Sequence, residues 1–202
     1  MSAREIHDAS PRATVQVHFP DGRGLEGPTG TTLEEFARAY TGRQFGAVAA
    51  LADGQLKELV HVPERDETIV PLGRDNAEGA RIYRRSLAFL LVTAIEELYP
   101  DAQVFIDYSV PFGGYFCQLL TEPQFTDEEL MEIESHMRAI VDSDEPITRI
   151  IVPAEEAKDI FNSRGECDKI ALVDRRGRTN ISMYQLRNRR DVFYGYMVPS
   201  AG

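Results

Sequence analysis

The sequence predicts an α+β fold in two parts, a small sheet wrapped on one helix and then a larger α+β domain. Three observations predict it. Strand patterns surround a single helix pattern over residues 12–73, a polar segment bounded by glycines occupies residues 74–79, and a long amphipathic helix pattern follows at residues 81–99. Because 43% of the residues are hydrophobic, both parts have enough apolar material for packed cores.

The first part follows a polar lead-in, residues 1–11, which is expected to be disordered. Val15, Val17 and Phe19 alternate with other residues, as the inward side chains of a half-buried strand do. The further predicted elements are a turn and partner strand at 20–25, a helix with overlapping capping boxes Thr31–Glu34 and Thr32–Glu35 that ends near Gly42, a hairpin at 47–60 and a strand at 67–72. Five strands and one helix in this order are typical of a ubiquitin-like β-grasp.

The helix that opens the second part carries one apolar stripe. Its apolar residues recur at intervals of three and four: Leu87, Leu90, Leu91, Ala94, Ile95 and Leu98. Such a stripe is expected to be buried against a core. Pro100 ends the pattern, because proline cannot donate the next helical hydrogen bond. Arg81, Arg84 and Arg85 lie in the first turn, where the helix macrodipole is already positive.

The remaining elements of the second part follow from local patterns. They are strands at 103–110 and 115–120 around a glycine turn at 111–114, a helix that begins at Thr126, a strand at 147–152, a helix from Pro153 to Gly165, and strands at 169–173 and 179–184. Cys117 lies in an alternating strand and is expected to be a small core residue. Cys167 is expected to be partly exposed. Neither cysteine has a neighbouring histidine that would make it a nucleophile.

Composition excludes several classes of protein. A formal net charge of −11 argues against a general nucleic-acid binder, and no DNA partner is expected. Two cysteines provide neither a disulfide framework nor a cysteine-rich zinc site. No apolar run approaches the length that spans a bilayer, and residues 1–11 are unlike a signal peptide. A cytoplasmic protein without a membrane partner is therefore expected.

Four stretches of the first part resemble a TGS domain, the ubiquitin-like module that opens threonyl-tRNA synthetases and occurs in some GTPases and stringent-response enzymes. These stretches are Phe19–Gly22, Gly30–Thr32, Ala47–Gly54 and Leu56–Leu59. The resemblance implies a TGS domain over residues 12–73, with the segment 74–79 as the linker to the next domain.

The second part resembles the editing domain of threonyl-tRNA synthetases, which alanyl-tRNA synthetases share in outline. The stretches that carry the resemblance are Tyr83–Leu91, Leu98–Pro100, Phe125–Leu130, Ile133–Met137, Glu155–Ala157 and Asp191–Gly202. The resemblance implies an editing-like domain over residues 80–202. In that family the first stretch carries a His-x-x-x-His pair and the last a Cys/His pair. The four side chains gather in one pocket that hydrolyses wrongly charged tRNA or, in relatives, binds zinc.

This sequence departs from the family at all four of those positions. Arg85 and Phe89 stand at the two positions of the histidine pair, and Phe193 and Met197 stand at the cysteine and the last histidine. Arginine stays protonated, phenylalanine has no donor atom and methionine is a soft, weak ligand. We therefore expect no catalytic residue and no metal site in this chain.

A fused module of this kind without the histidines resembles the N-terminal half of bacterial nucleoside kinases of the uridine kinase/phosphoribulokinase type. The stretch Phe193–Ser200 is more similar to those proteins than to the synthetases. Their kinase domain carries a P-loop, GxxxxGK[ST], and none of the three lysines here, Lys57, Lys158 and Lys169, stands in that context. The resemblance therefore implies a downstream kinase domain as a partner, with ATP and Mg as cofactors of that domain alone.

The sequence leaves three functions open. The leading one is a non-catalytic module that binds a ligand or regulates a nucleoside kinase domain. The second is a stand-alone aminoacyl-tRNA deacylase, which would need a water activator that the four replaced positions do not supply. The third is a tRNA or RNA adaptor that acts through the TGS part, for which the acidic net charge is unfavourable.

Arginines suggest one binding site. If the last strand lies beside the helix at 81–99, as in the editing family, then Arg84 or Arg85 and Arg189 or Arg190 would converge near the helix N-terminus. Guanidinium groups there suit a nucleotide or a tRNA or RNA phosphate. The alternative is that these arginines form ion pairs with nearby carboxylates on a solvated surface.

Overall fold

The structure is a computed structural model that describes residues 12–42, 46–109, 114–120 and 124–202. The predicted disordered lead-in and most of the predicted glycine turn lie outside these residues. Within them, no helix is both long and apolar enough to cross a membrane. The chain divides into two compact units, which meet in sequence between Asn76 and Ala77.

The first unit is a five-stranded sheet with one helix. Its elements are β1 (Thr14–His18), β2 (Gly24–Pro28), α1 (Leu33–Thr41), β3 (Ala47–Ala52), β4 (Gln55–Lys57) and β5 (Glu67–Gly73). The strand order is β2-β1-β5-β3-β4, with β1 and β5 parallel and the other neighbours antiparallel. Val17, Leu33 and Ile69 are completely buried in the core between the sheet and α1. This is the β-grasp arrangement that the element order predicts.

Helix α1 begins at one of the two overlapping capping boxes. The Thr32 hydroxyl accepts a hydrogen bond from Glu35 N at 3.3 Å, and a Glu35 carboxylate oxygen accepts one from Thr32 N at 2.7 Å. Glu34, the partner expected for Thr31, instead forms an ion pair with Arg38 on the next turn, at 2.7 Å. The helix therefore begins one residue later than the first box would place it.

Replacing Thr32 with alanine is expected to weaken α1 by about 1 kcal/mol, because Glu35 N in the first turn loses the hydroxyl that accepts its hydrogen bond. The matched control Glu34→Ala removes only an i, i+4 ion pair and should cost at most about 0.5 kcal/mol. Amide hydrogen exchange of α1 in the full chain measures both changes. Equal protection in the two variants would show that the Thr32 box does not set the start of the helix.

The second unit contains two helices, a hairpin and a three-stranded sheet, and two further helices pack against that sheet. Its elements are α2 (Ala77–Leu98), β6 (Val104–Ser109), β7 (Tyr115–Leu119), α3 (Asp127–Asp142), β8 (Ile147–Pro153), α4 (Ala154–Ser163), α5 (Cys167–Arg176), β9 (Asn180–Leu186) and β10 (Arg189–Asp191). Helix α2 begins four residues before the predicted start, inside the segment predicted as a linker. Ala77 and Ala80 favour helix, and Glu78 in the first turn suits the macrodipole.

The sheet β10-β9-β8 is antiparallel and covered on both faces. Tyr184 and Leu186 of β9 pack with Phe89 and Leu90 of α2 on one face. Ile181 and Met183 pack with α4 and α5 on the other face. Because neighbouring side chains of a strand point to opposite faces, β9 contributes to both cores, and β8 does so through Ile147 and Val152.

The segment predicted as a strand at 169–173 is instead part of α5. Ile170 and Val173 are three residues apart and lie in the core beneath α4 and the sheet, which is helical spacing. Gly177 follows the helix at φ +56°, a left-handed C-cap position. A short apolar run does not distinguish helix from strand by its own pattern, and here the cap and the tertiary core decide.

The β6–β7 hairpin forms as predicted, but Cys117 does not lie in the predicted environment. Its two strands pair with each other as a separate sheet. Tyr115 and Cys117 are exposed, and so is Phe105 on the partner strand. The expectation that Cys117 is a core residue is wrong, because alternation marks an inward face only where another layer covers the hairpin.

Candidate functional site

The last eleven residues, 192–202, cross over α2 and are called here the closing segment. Val198 N donates to the Ser86 hydroxyl of α2 at 3.0 Å, and that hydroxyl donates to Ile82 O at 3.0 Å. Ile147 N at the start of β8 donates to Pro199 O at 2.9 Å. The closing segment is therefore held between α2 and the edge of the sheet.

Three of the four positions that would carry ligands in the editing family are apolar and packed. Phe89 of α2 is completely buried, and Met197 of the closing segment is 1% exposed. The rings of Phe89 and Phe193 contact each other at a centroid distance of 5.0 Å and an angle of 60°. These side chains fill the space between α2 and the closing segment as part of the core.

The fourth position, Arg85, contacts the backbone of the closing segment. Its Nη1 donates to Tyr196 O at 2.6 Å. A Cβ on Gly195 would lie 3.0 Å from the guanidinium, and Gly195 has φ +99°. Both the close approach and the backbone conformation therefore favour glycine at this position. The hydrogen bond from Arg85 connects the closing segment to α2.

These four side chains do not fit a metal ion, because they offer no thiolate, imidazole or carboxylate. Elsewhere in the described part of the chain, no group of three or more His, Cys, Asp or Glu side chains is placed to hold one. The arrangement provides no Lewis acid and no general base at the positions where the editing family has them.

A large cleft lies beside the packed positions in the second unit. Its volume is about 890 Å³, within the range of small-molecule sites. One wall is the outer face of α2, with Ala88 and Val92, and the facing wall is the hairpin, with Phe105 and Ile106. Phe193 is the member of the four positions that also borders this cleft.

The polar end of the cleft is an ionic cluster, which comprises Glu96, Glu166, Lys169, Arg189 and Asp191. Lys169 Nζ lies 2.8 Å from both carboxylate oxygens of Asp191. Arg189 Nη2 lies 2.9 Å from Asp191 Oδ2, and Arg189 Nη1 pairs with Glu96 of α2. The cluster thereby connects β10 to α2 and to α5.

Asp191 is the centre of this cluster and is buried. Burial opposes ionisation, but the charges of Lys169 and Arg189 outweigh it and hold the pKa of Asp191 below its usual value. For Arg189, burial opposes the charged form, and the charges of Asp191 and Glu96 outweigh it, so its pKa is raised. Both groups are therefore ionised at neutral pH.

The four arginines predicted to bind an anion are not brought together. Arg85 contacts the closing segment, whereas Arg189 contacts Glu96, which lies eleven residues and about 16 Å further along α2. Arg190 Nη1 pairs with Glu156 of α4 at 2.6 Å, and Arg84 is half-buried. Arg189 and Arg190 are compensated by carboxylates, as the ion-pair alternative expects, although Arg189 is only 11% exposed. Binding of an anion by these arginines stays a prediction.

Lys169 and Asp191 were not singled out from the sequence as site residues. Lys169 lay within a segment interpreted as a strand, and no motif marks the pair, which is 22 residues apart. The signal available was the density of charged residues at 187 and 189–191, which does not reveal which of them is buried.

Similarity to known proteins over most of the chain identifies it as a module derived from an aminoacyl-tRNA synthetase. Its homologues are threonyl-tRNA synthetases. It is 36% identical over 191 residues to a threonine–tRNA ligase of Burkholderia ambifaria, and 34% identical over 193 residues to that of Symbiobacterium thermophilum. The aligned regions cover 93% and 94% of this chain.

The chain spans about 30% of the length of the curated relatives it matches. The similarity extends over both units, since 93% of the chain is aligned. No protein-family model matches the chain.

Proposed function

We propose that this chain is a non-catalytic module that binds a ligand or regulates a nucleoside kinase of the uridine kinase type. It derives from the region of a threonyl-tRNA synthetase that comprises a TGS domain, here residues 12–73, and an editing-like domain. The observation that supports it best is the packing of Phe89, Phe193 and Met197 into the core at the positions where the editing family places its ligands.

Hydrolysis of an aminoacyl ester needs a base or a metal to activate water. Arg85 remains protonated and donates to a backbone carbonyl, and the other three side chains carry no titratable atom. The second unit therefore has the fold of an editing domain without its hydrolytic activity.

The assignment to a nucleoside kinase rests on the resemblance of Phe193–Ser200 to those enzymes. It places ATP, Mg and the phosphoryl transfer on a P-loop domain encoded after Gly202, in a cytoplasmic protein. The coding sequence beyond Gly202 tests it directly. A GxxxxGK[ST] motif is expected there, and a stop codon at that point would contradict the kinase assignment.

Incubation of the chain with threonine tRNA that carries threonine or serine is expected to leave the ester hydrolysis rate at the level of buffer alone. The reason is the missing water activator, and the measurement is release of labelled amino acid. A homologue that retains both ligand pairs serves as the positive control. Hydrolysis above buffer, or stoichiometric zinc by metal analysis, would establish the deacylase alternative instead.

The second candidate is a tRNA-binding module without hydrolytic activity, and it is favoured by the similarity of both units to threonine–tRNA ligases. A binding assay with the same aminoacylated tRNA distinguishes this candidate from the nucleoside kinase module. Retention of tRNA on the chain at physiological salt, with an affinity that falls as salt rises, is the result that this candidate requires.

A further inference from the structure

The cleft of the second unit has an apolar end and a polar end, and the polar end offers few free hydrogen-bond donors. Ala88 and Val92 of α2 form one wall, and Phe105, which is 48% exposed, stands on the hairpin wall. An aromatic side chain exposed inside a cleft of about 890 Å³ offers a planar ligand a face to stack on. The apolar end therefore fits a flat ring system.

The polar end has an excess of carboxylates. Five acidic residues border the cleft, Glu96, Asp101, Glu166, Asp168 and Asp191, against the three basic residues Arg164, Lys169 and Arg189. The basic groups are already paired with carboxylates of the cluster. Glu96, Glu166 and Asp191 are the carboxylates in those pairs, so the excess of negative charge that a ligand meets is carried by Asp101 and Asp168, which are exposed.

One donor in this region has no partner. Arg189 Nε is buried and makes no hydrogen bond within the described residues, although the two terminal nitrogens of the same side chain form ion pairs. The Arg189 side chain is 11% exposed and borders the cleft. A buried N–H without a partner is costly, and a turn of the Arg189 side chain toward the cleft would let a carbonyl oxygen or ring nitrogen of a ligand satisfy it.

We propose that this cleft binds an unphosphorylated nucleoside. The base would stack near Phe105, the sugar hydroxyls and any exocyclic amino group would donate to the acidic residues, and one base acceptor would face Arg189 Nε. This inference rests on the proposed ligand-binding function and names its ligand class. It replaces the phosphate ligand that the arginines in the sequence suggested.

A phosphate group is disfavoured in the cleft by charge. A nucleoside monophosphate carries a charge of about −1.5 to −2 at neutral pH. It would approach a surface where acidic groups outnumber basic ones, and where the basic groups would have to leave their carboxylates to bind it. The cleft thus selects the nucleoside over its phosphorylated form.

Calorimetric titration of the full chain with adenosine and uridine, and with their 5′-monophosphates, tests this selectivity. We expect at least one nucleoside to bind at least 10-fold more tightly than its monophosphate. Asp101→Asn combined with Asp168→Asn removes two exposed acidic groups of the cleft and should narrow that ratio. Equal or tighter binding of the monophosphates would overturn the inference but leave a ligand-binding module in place.

Tryptophan variants test whether the nucleoside binds in this cleft. Ala88→Trp fills the cleft and should weaken nucleoside binding at least 10-fold, whereas Leu87→Trp, on the exposed neighbouring position, should leave it unchanged. Because the chain has no tryptophan, Phe105→Trp adds a unique fluorophore whose emission should change with the nucleoside. No emission change and no heat up to millimolar nucleoside would overturn the inference. Ester hydrolysis in the deacylation assay would instead refute the proposed function.

Discussion

Replacing Asp191 with asparagine is expected to destabilise the second unit by about 3–5 kcal/mol, the cost of removing one partner from a buried ion pair. The carboxylate accepts from Lys169 and Arg189 at 2.8 and 2.9 Å and also from Val192 N at 2.8 Å. The neutral amide would remove the most deeply buried negative charge of the cluster, and would leave Lys169 with Glu166 alone and Arg189 with Glu96 and Glu166. Urea unfolding of the full chain, with amide exchange of β9 as the probe of this unit, measures the loss.

Two comparisons separate this effect from a general effect of lost charge. Asp168→Asn removes an exposed carboxylate next to Lys169 in sequence and should change stability by less than about 0.5 kcal/mol. Lys169→Met combined with Asp191→Asn should cost less than the sum of the single variants, because both single variants lose the same Lys169–Asp191 ion pair. Strict additivity would show that the pair is not coupled.

The same variant gives a pH test with a definite sign. The pKa of Asp191 is lower in the folded chain than its usual value. Its contribution is therefore fully present above the unfolded value of about 3.9 and is lost as the pH falls through the lower folded value. The stability difference between the wild-type chain and Asp191→Asn should be constant from pH 7 to 5 and shrink in stronger acid. A difference that grows on acidification would reverse the assignment.

Replacing Phe89 with alanine is expected to cost about 3–5 kcal/mol, because the ring is completely buried and its removal leaves a cavity between α2 and the closing segment. Phe193 would lose its ring contact, and Met197 its neighbour in the same core. The measurement is again urea unfolding monitored by exchange of β9 amides.

The matched control is Leu87→Ala, two residues away on the same helix but 43% exposed, which should cost well under half as much. If Phe89→Ala and Leu87→Ala were equally mild, the position would tolerate an open space. The proposal that the former ligand site has become core would then be wrong.

Local patterns determined much of the fold from sequence. The alternation of Val15, Val17 and Phe19 and the Thr32 cap identified a strand and a helix start, because each depends on residues a few positions apart. The apolar stripe of α2 was equally local and is confirmed at Leu90, Ala94 and Ile95, but Leu87 is 43% exposed, because no other element of the described residues covers that part of the helix face. In contrast, the helix α5 was missed, since Ile170 to Val173 is an apolar run that only its tertiary neighbours assign to a helix.

The site was predictable only where a position could be compared with a family pattern. The replacement of ligands at Arg85 and Phe89 is visible in the sequence alone. The ionic cluster is not, because Arg189 finds Glu96 across 93 residues and its charge says nothing about which carboxylate it meets. Arg84, Arg85, Arg189 and Arg190 suggested an anion site, but ion pairing within the folded chain decides which of them remain available.

The contact between Arg85 and the closing segment limits which substitutions this chain tolerates. Histidine at position 85 alone would remove the donor that Tyr196 O now uses, while Phe89 and Met197 would still fill the space between α2 and the closing segment. Each single substitution toward the ligand set of the editing family is therefore expected to lower stability before the set is complete. Packing thus opposes a stepwise installation of those ligands in this chain.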